Sequence, residues 1–210
     1  MWPFSGAGRD AHPLPLFPLK TVLFPGGVLP LKVFEQRYIA MAKTCLAQGK
    51  PFGVCLITRG EEVAAAGTAA PEIAAIGTLA RITDWDMPEL GILHITAVGE
   101  TRFQVRQRKV ETDGLVTGEV MPIAAEPRKP IAPEHKPLVA LLELVASRVG
   151  PGNFPAVRDF EDASWVGYRL AEVLPLPLHV KQSMLEINEA DVRLTVLSRF
   201  LRQQGVLDPA

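Results

Sequence analysis

Cysteine is scarce in this chain. Only Cys45 and Cys55 occur among 210 residues, and their spacing builds neither a disulfide framework nor a zinc knuckle. Both are expected to be reduced, buried thiols. Long apolar runs are missing too: nothing approaches the ~18 residues that a membrane-spanning helix requires. The opening residues, Met1-Trp2-Pro3-Phe4-Ser5-Gly6, lack the basic and apolar regions of a signal peptide. A cytoplasmic location with no membrane partner is therefore expected. Charge of one sign is not in excess, because 22 Lys and Arg face 23 Asp and Glu for a formal net charge of −1. A dedicated nucleic-acid binder is usually far more basic, which disfavours that class of partner.

The common signatures of catalysis are also missing. A phosphate-binding loop needs a glycine upstream of a Gly-Lys-Ser/Thr ending. Here the only Gly-Lys pair, Gly49-Lys50, is followed by Pro51, and the upstream position holds Thr44. The histidines His12, His94, His135 and His179 are nowhere four residues apart, so no helix presents two of them as metal ligands on one face. No serine sits in a Gly-x-Ser-x-Gly elbow. Asp159, Glu161 and Asp162 cluster before an expected helix, where acidic residues favour the helix N-terminus, and nothing nearby supplies an acid–base partner. No cofactor, metal or catalytic residue is expected.

What is present describes a globular chain, 48% hydrophobic and 21% charged, long enough to bury a core. Residues 1–12 read as a frayed leader. A strand containing Leu16, Pro18 and residues 22–24 should end at Pro25-Gly26-Gly27, whose glycines permit positive φ. Residues 28–33 form a second extended run, and Pro30 within it argues for an edge or a bulge. Residues 38–47 suit a short helix with Ile39, Ala42, Lys43 and Leu46 on one stripe. Residues 52–57 suit a buried strand, residues 59–75 a loop whose Ala/Gly-rich part, 63–75, is expected to be mobile, and residues 76–85 another strand. Leu93, Ile95 and Ala97, then Phe103 and Val105, alternate with polar residues at period two. That pattern predicts a hairpin about Gly99-Glu100. A further strand covers 115–121. After the proline-rich stretch 122–137 the pattern turns helical, with Gly150-Pro151-Gly152 ending one helix, Asp162 capping the next, and Leu194, Leu197 and Leu201 on one face of the last. Strands followed by helices predict an α+β protein.

Two clusters stand out as binding candidates. The first is Phe34-Glu35-x-Arg37-Tyr38, where the β-rich part hands over to its first helix. Phe34 is expected in the core, with Glu35 and Arg37 tying the strand end to a neighbour through charged hydrogen bonds. The second is a basic stripe of Arg102, Arg106 and Arg108 with Lys109, expected on one strand face as a solvated surface or an RNA contact. No aromatic interleaves with it to stack bases.

Four segments in order resemble the N-terminal, substrate-binding domain of the Lon proteases. They are residues 14–38 (LPLFPL, then VLFPG, LPL and FEQRY), residues 76–82 (IGTLARI), residues 98–103 (VGETRF) and residues 181–186 (KQSMLE) with Arg193-Leu194. The resemblance spans roughly residues 14–204. It implies a PUA-like β-barrel over residues 13–125, followed by a C-terminal helical bundle over 131–206. Lon proteases continue into ATPase and peptidase modules that these 210 residues do not contain. The implication is a stand-alone Lon-domain protein that recognises unfolded or flexible polypeptide without cleaving it. Phe34, Glu35, Arg37, Tyr38, Arg102 and Arg106 are the candidate binding residues. RNA binding on a PUA-like fold, a role as adaptor for a separate protease, and an unrecognised hydrolase are the alternatives.

Overall fold

A computed structural model describes residues 13–62, 70–148, 154–155 and 157–207. The leader 1–12, the Ala/Gly segment 63–69 and Gly150-Pro151-Gly152 lie outside the described residues. The elements run β1 (Leu14–Leu19), β2 (Val28–Val33), α1 (Gln36–Gln48), β3 (Phe52–Arg59), β4 (Glu72–Ile73), β5 (Ile76–Glu89), β6 (Ile92–Val110) and β7 (Val116–Pro122). A 3₁₀ turn (Pro133–His135), α2 (Lys136–Arg148), α3 (Ala163–Val173), α4 (Leu178–Glu186) and α5 (Ala190–Gln203) follow. The α+β class follows from that order: a mostly antiparallel sheet, then helices.

The strand path is β1-β7-β6-β5-β3-β4, with β2 pairing with β6. Because β1 also runs parallel to β3, the pairings from β1 through β7, β6, β5 and β3 return to β1. Side chains of β1, β3, β5, β6 and β7, among them Leu16, Cys55, Leu79, Phe103 and Val116, fill a small apolar cluster. A second cluster joins α1, through Tyr38, Ile39, Met41, Ala42 and Cys45, to Phe17, Phe52, Leu93 and Ile95. Lys43 is exposed, so the buried stripe of α1 is rotated from the one expected. The third and largest cluster contains the apolar faces of α2, α3, α4 and α5, including Leu142, Leu170, Leu185 and Leu197, together with Val22, Phe24, Leu56 and Ala74 from the β-rich part.

Three expectations are corrected. The strand placed through residues 22–24 stops at Leu19; Val22, Leu23 and Phe24 are buried without being strand. The segment 59–75 is not wholly loop, since Glu72 and Ile73 pair with the end of β3. The hairpin about Gly99-Glu100 does not exist: β6 runs straight through both residues, and the reversals lie before Ile92 and after Val110. Gly99 is there because backbone approaches it closely. Its N–H donates to the Gly27 carbonyl at 2.9 Å and its carbonyl accepts from the Gly26 N–H at 2.8 Å. A Cβ at Gly99 would stand 2.2 Å from the Phe24 carbonyl oxygen. Of the pair Gly26-Gly27, Gly26 is the one with positive φ, +74°.

Other features match their sequence signals. Asp162 caps α3 with its carboxylate, which accepts the N–H groups of Ser164 and Trp165 at 3.4 and 3.2 Å. Leu194, Leu197 and Leu201 are buried on one face of α5, and Gly205, with φ of +69°, follows its end. Pro30 lies on an edge: among the described residues β2 pairs with β6 alone. Proline has no N–H to give, so Pro30 occupies a position whose donor side faces away from β6.

Candidate functional site

Residues 34–38 link the free-edged strand β2 to α1, and the structure splits them by burial. Phe34, expected in the core, is 54% exposed, because β2 ends at Val33 and carries Phe34 past the last cross-strand neighbour. Tyr38 is buried and stacks on Phe17 with ring centroids 4.0 Å apart. Burial pushes its hydroxyl up to about 12, against the lowering effect of Arg37 and with a small further push from Glu35. Arg37 pairs with Glu35 at 2.6 Å, donates to the Gly114 carbonyl in the β6–β7 loop at 2.8 Å, and lies 4.7 Å from the Tyr38 ring centroid. Arg37 and Tyr38 therefore brace the junction, while Phe34 remains exposed.

Two shallow grooves flank β2 and share Pro30, Leu31 and Lys32. One, of about 240 Å³, lies between the ends of β1 and β2 and the start of α1, with Phe17, Phe34, Glu35 and Tyr38 in its wall. The other, of about 390 Å³, opens towards the β5–β6 hairpin and is lined by Asp84, Trp85, Asp86 and His94. The register explains the second groove. Leu31 stands opposite Ile95, and Lys32 opposite His94; on the far side of β6, Trp85 pairs with Ile95 and Asp86 with His94. Trp85 is 57% exposed. Two large aromatic side chains, Phe34 and Trp85, thus stand in the walls of grooves on either side of one edge strand. Trp85 carried no distinguishing sequence signal, since it occupies an ordinary position in a predicted strand.

The basic stripe is not a stripe. Arg102 is 3% exposed, with Nη1 donating to the carbonyls of Leu185 and Ile187 at 2.6 and 3.0 Å and Nη2 3.5 Å from Glu126. A bulge between Val105 and Gln107 resets the alternation: Val105 opposes Val120 and Arg108 opposes Gly118. Arg108 consequently shares the face of Val105 rather than that of Arg102. Arg106 is exposed and reaches the Met121 sulfur at 3.4 Å, while Arg108 donates to the Pro71 carbonyl at 2.9 Å.

Arg102 belongs instead to a buried polar cluster. The Glu126 side chain, 4% exposed, receives the guanidinium of Arg193, which is fully buried. Glu126 also accepts the hydroxyls of Tyr168 at 2.6 Å and Ser164 at 2.9 Å. Arg193 donates to the Met184 carbonyl at 3.0 Å and lies 3.9 Å from the Tyr168 ring centroid. Burial pushes the Glu126 carboxyl up; the hydrogen bonds from Arg193, Tyr168 and Ser164 outweigh it, leaving the group below the ordinary glutamate range. This cluster ties β6 and the segment after β7 to α3, α4 and α5. An arginine at position 193, on the stripe that carries Leu194 and Leu197, is the one sequence sign of it. Among the described residues, no group of three His, Cys, Asp or Glu side chains is placed to hold a metal.

Comparison with known proteins gives a consistent result. The Lon protease of Anaeromyxobacter dehalogenans is 27% identical over 91% of this chain, and Lon protease 2 of Herpetosiphon aurantiacus is 28% identical over 91%. The chain spans about a quarter of the length of these relatives, 23% and 24%. The crystal structure of a Lon N-terminal domain protein from Xanthomonas campestris is 36% identical and superposes with a TM-score of 0.72 over 90% of this chain and 98% of that one. The N-terminal domain of a Mycobacterium avium complex Lon protease, 20% identical, shares the fold with a TM-score of 0.61, over 89% of this chain and 96% of that one. The model of the ATP-dependent protease La (Lon) substrate-binding domain matches residues 13–203, and the chain belongs to that family.

Proposed function

We propose that this chain is a non-enzymatic polypeptide-recognition module that holds flexible protein segments in the two grooves beside β2. The exposure of Phe34 and Trp85 in these groove walls carries the reading. Large aromatics give the most contact area per ordered side chain, and at these positions they serve no core. Membership of a family named for substrate binding supports the same role. We read the closed path of strand pairings as the PUA-like barrel over residues 13–125, and the helices over 131–206 as the bundle behind it. We place the protein in the cytoplasm; no helix among the described residues is long and apolar enough to cross a membrane.

Side-chain capture is favoured over addition of a strand to β2. A peptide pairing with that edge needs a regular row of donors and acceptors. Pro30 removes one donor from the middle of the row, and Lys32 places a charge there, both common protections of an edge. RNA binding is disfavoured by the burial of Arg102, which removes it from the surface on which Arg106 and Arg108 are exposed.

The test is binding of a fluorescent, permanently unfolded polypeptide to the wild-type chain and to a Phe34→Ser/Trp85→Ser variant. Both side chains are exposed, so the variant should keep its melting temperature. Saturable binding weakened at least about tenfold in the variant is expected. Undiminished binding would place recognition elsewhere on the molecule.

A further inference from the structure

The grooves beside β2 have a sign of charge as well as a shape. Four carboxylates line them, Glu35 and Glu62 in one and Asp84 and Asp86 in the other, against Lys32, which the two share. The carboxylates differ in what already satisfies them. Glu35 is tied to Arg37, and Glu62 accepts the backbone N–H of Lys20. Asp84 and Asp86 each use one oxygen to accept the next residue's N–H, at 2.9 and 2.8 Å. Neither makes an ion pair among the described residues. Both are exposed on β5, on either side of the exposed Trp85. Asp84 pairs with Thr96 and Asp86 with His94, whereas Trp85 pairs with Ile95, so the two carboxylates share one face of the sheet and the indole lies on the other. Two unneutralised carboxylates on one face attract a cation carried on a long aliphatic stem.

We infer that the grooves select, among flexible polypeptides, segments in which arginine or lysine alternates with large apolar residues, and that Asp84 and Asp86 set this preference. The inference rests on the polypeptide-recognition reading and adds a substrate class to it. Phe34 and Leu31 take the apolar side chains; Asp84 and Asp86 take the basic ones. An acidic segment of equal apolar content meets like charge on both sides of β2 and is rejected.

Three unfolded polypeptides of equal length and equal apolar content, one basic, one neutral and one acidic, test this by titration at low and physiological salt. The wild-type chain is expected to bind the basic polypeptide about tenfold more tightly than the acidic one at low salt, with the gap narrowing as salt screens the exposed charges. An Asp84→Asn/Asp86→Asn variant keeps the side-chain oxygens that accept the backbone N–H groups, and so keeps the fold. It is expected to lose most of the basic preference, its affinities for the basic and the acidic polypeptide converging at low salt. Equal binding of all three by the wild type, or a basic preference that survives in the variant, overturns the charge selection and leaves recognition standing. Failure of all three to bind overturns the recognition reading itself, and the preference with it.

Discussion

Glu126 is the residue on which the joint between sheet and helices depends. It is a buried carboxylate shared by two buried arginines, Arg102 and Arg193. Removing one partner of a buried pair leaves the other's charge uncompensated, which costs about 3–5 kcal/mol. Glu126→Ala should therefore lower the midpoint of urea unfolding by that equivalent, and Arg193→Met should cost less because Glu126 keeps Arg102 as its partner. The pH dependence has a definite sign. The carboxyl sits below its unfolded value of about 4.5 in the folded chain, so its contribution is complete above that value and is lost as pH falls through the folded pKa. The stability gap between wild type and Glu126→Gln should be constant above roughly pH 5 and shrink in acid; a gap that grows in acid would contradict this assignment. The sequence showed little of this cluster. Alternation along β6 placed Arg102 with Arg106 and Arg108, and alternation is blind both to a bulge and to which part of a strand face is covered by helices. Glu126 lies in a proline-rich stretch with no periodicity to interpret. Phe34 is the converse case: an aromatic beside an apolar strand has the sequence signature of core, yet it lies on the surface.

Single elements were readable where periodicity or a cap fixed them, and unreadable where a glycine had two meanings. Asp162 announced the start of α3, and Leu194, Leu197 and Leu201 announced the face of α5. Gly99 looked like a turn between two alternating runs and is instead the place where the Phe24–Gly27 backbone lies against β6. Gly99→Ala should cost roughly 1–3 kcal/mol by the overpacking it forces, visible as a lower melting temperature. No such loss would mean that the backbone contact is loose. Pro30 takes the edge, one of the two positions (edge or bulge) that a proline in a strand permits, and its role has its own test. Pro30→Val restores an N–H on the free side of β2 and improves strand propensity, so it should raise self-association in light scattering at unchanged thermal stability. An unchanged monomer would show that Pro30 is not what keeps the edge unpaired.

At the scale of the whole molecule, strands and helices share a core. Val22, Phe24, Leu56 and Ala74 are buried with the helical side chains, and Gln182 of α4 donates to the Ile76 carbonyl at 3.0 Å. Trp85 on β5 and Trp165 on α3 report on the two parts. Unfolding followed by fluorescence of single-tryptophan variants should give coincident transitions, and a fragment ending at residue 125 should fail to fold. Separate transitions would mean that the parts are stable alone. The overall fold was legible because four segments occur in family order; the sharing of the core was not, because the side chains that share it lie far apart in sequence, with no periodicity linking them. The location of the binding surface was half legible, with residues 34–38 marking one groove and nothing marking Trp85 across β6. Whether flexible polypeptide is held beside β2 can be read from the amide chemical shifts on addition of an unfolded polypeptide. Perturbations concentrated at residues 30–35, 84–87 and 94–96 are predicted; perturbations confined to residues 106–109 or to the helices would contradict it.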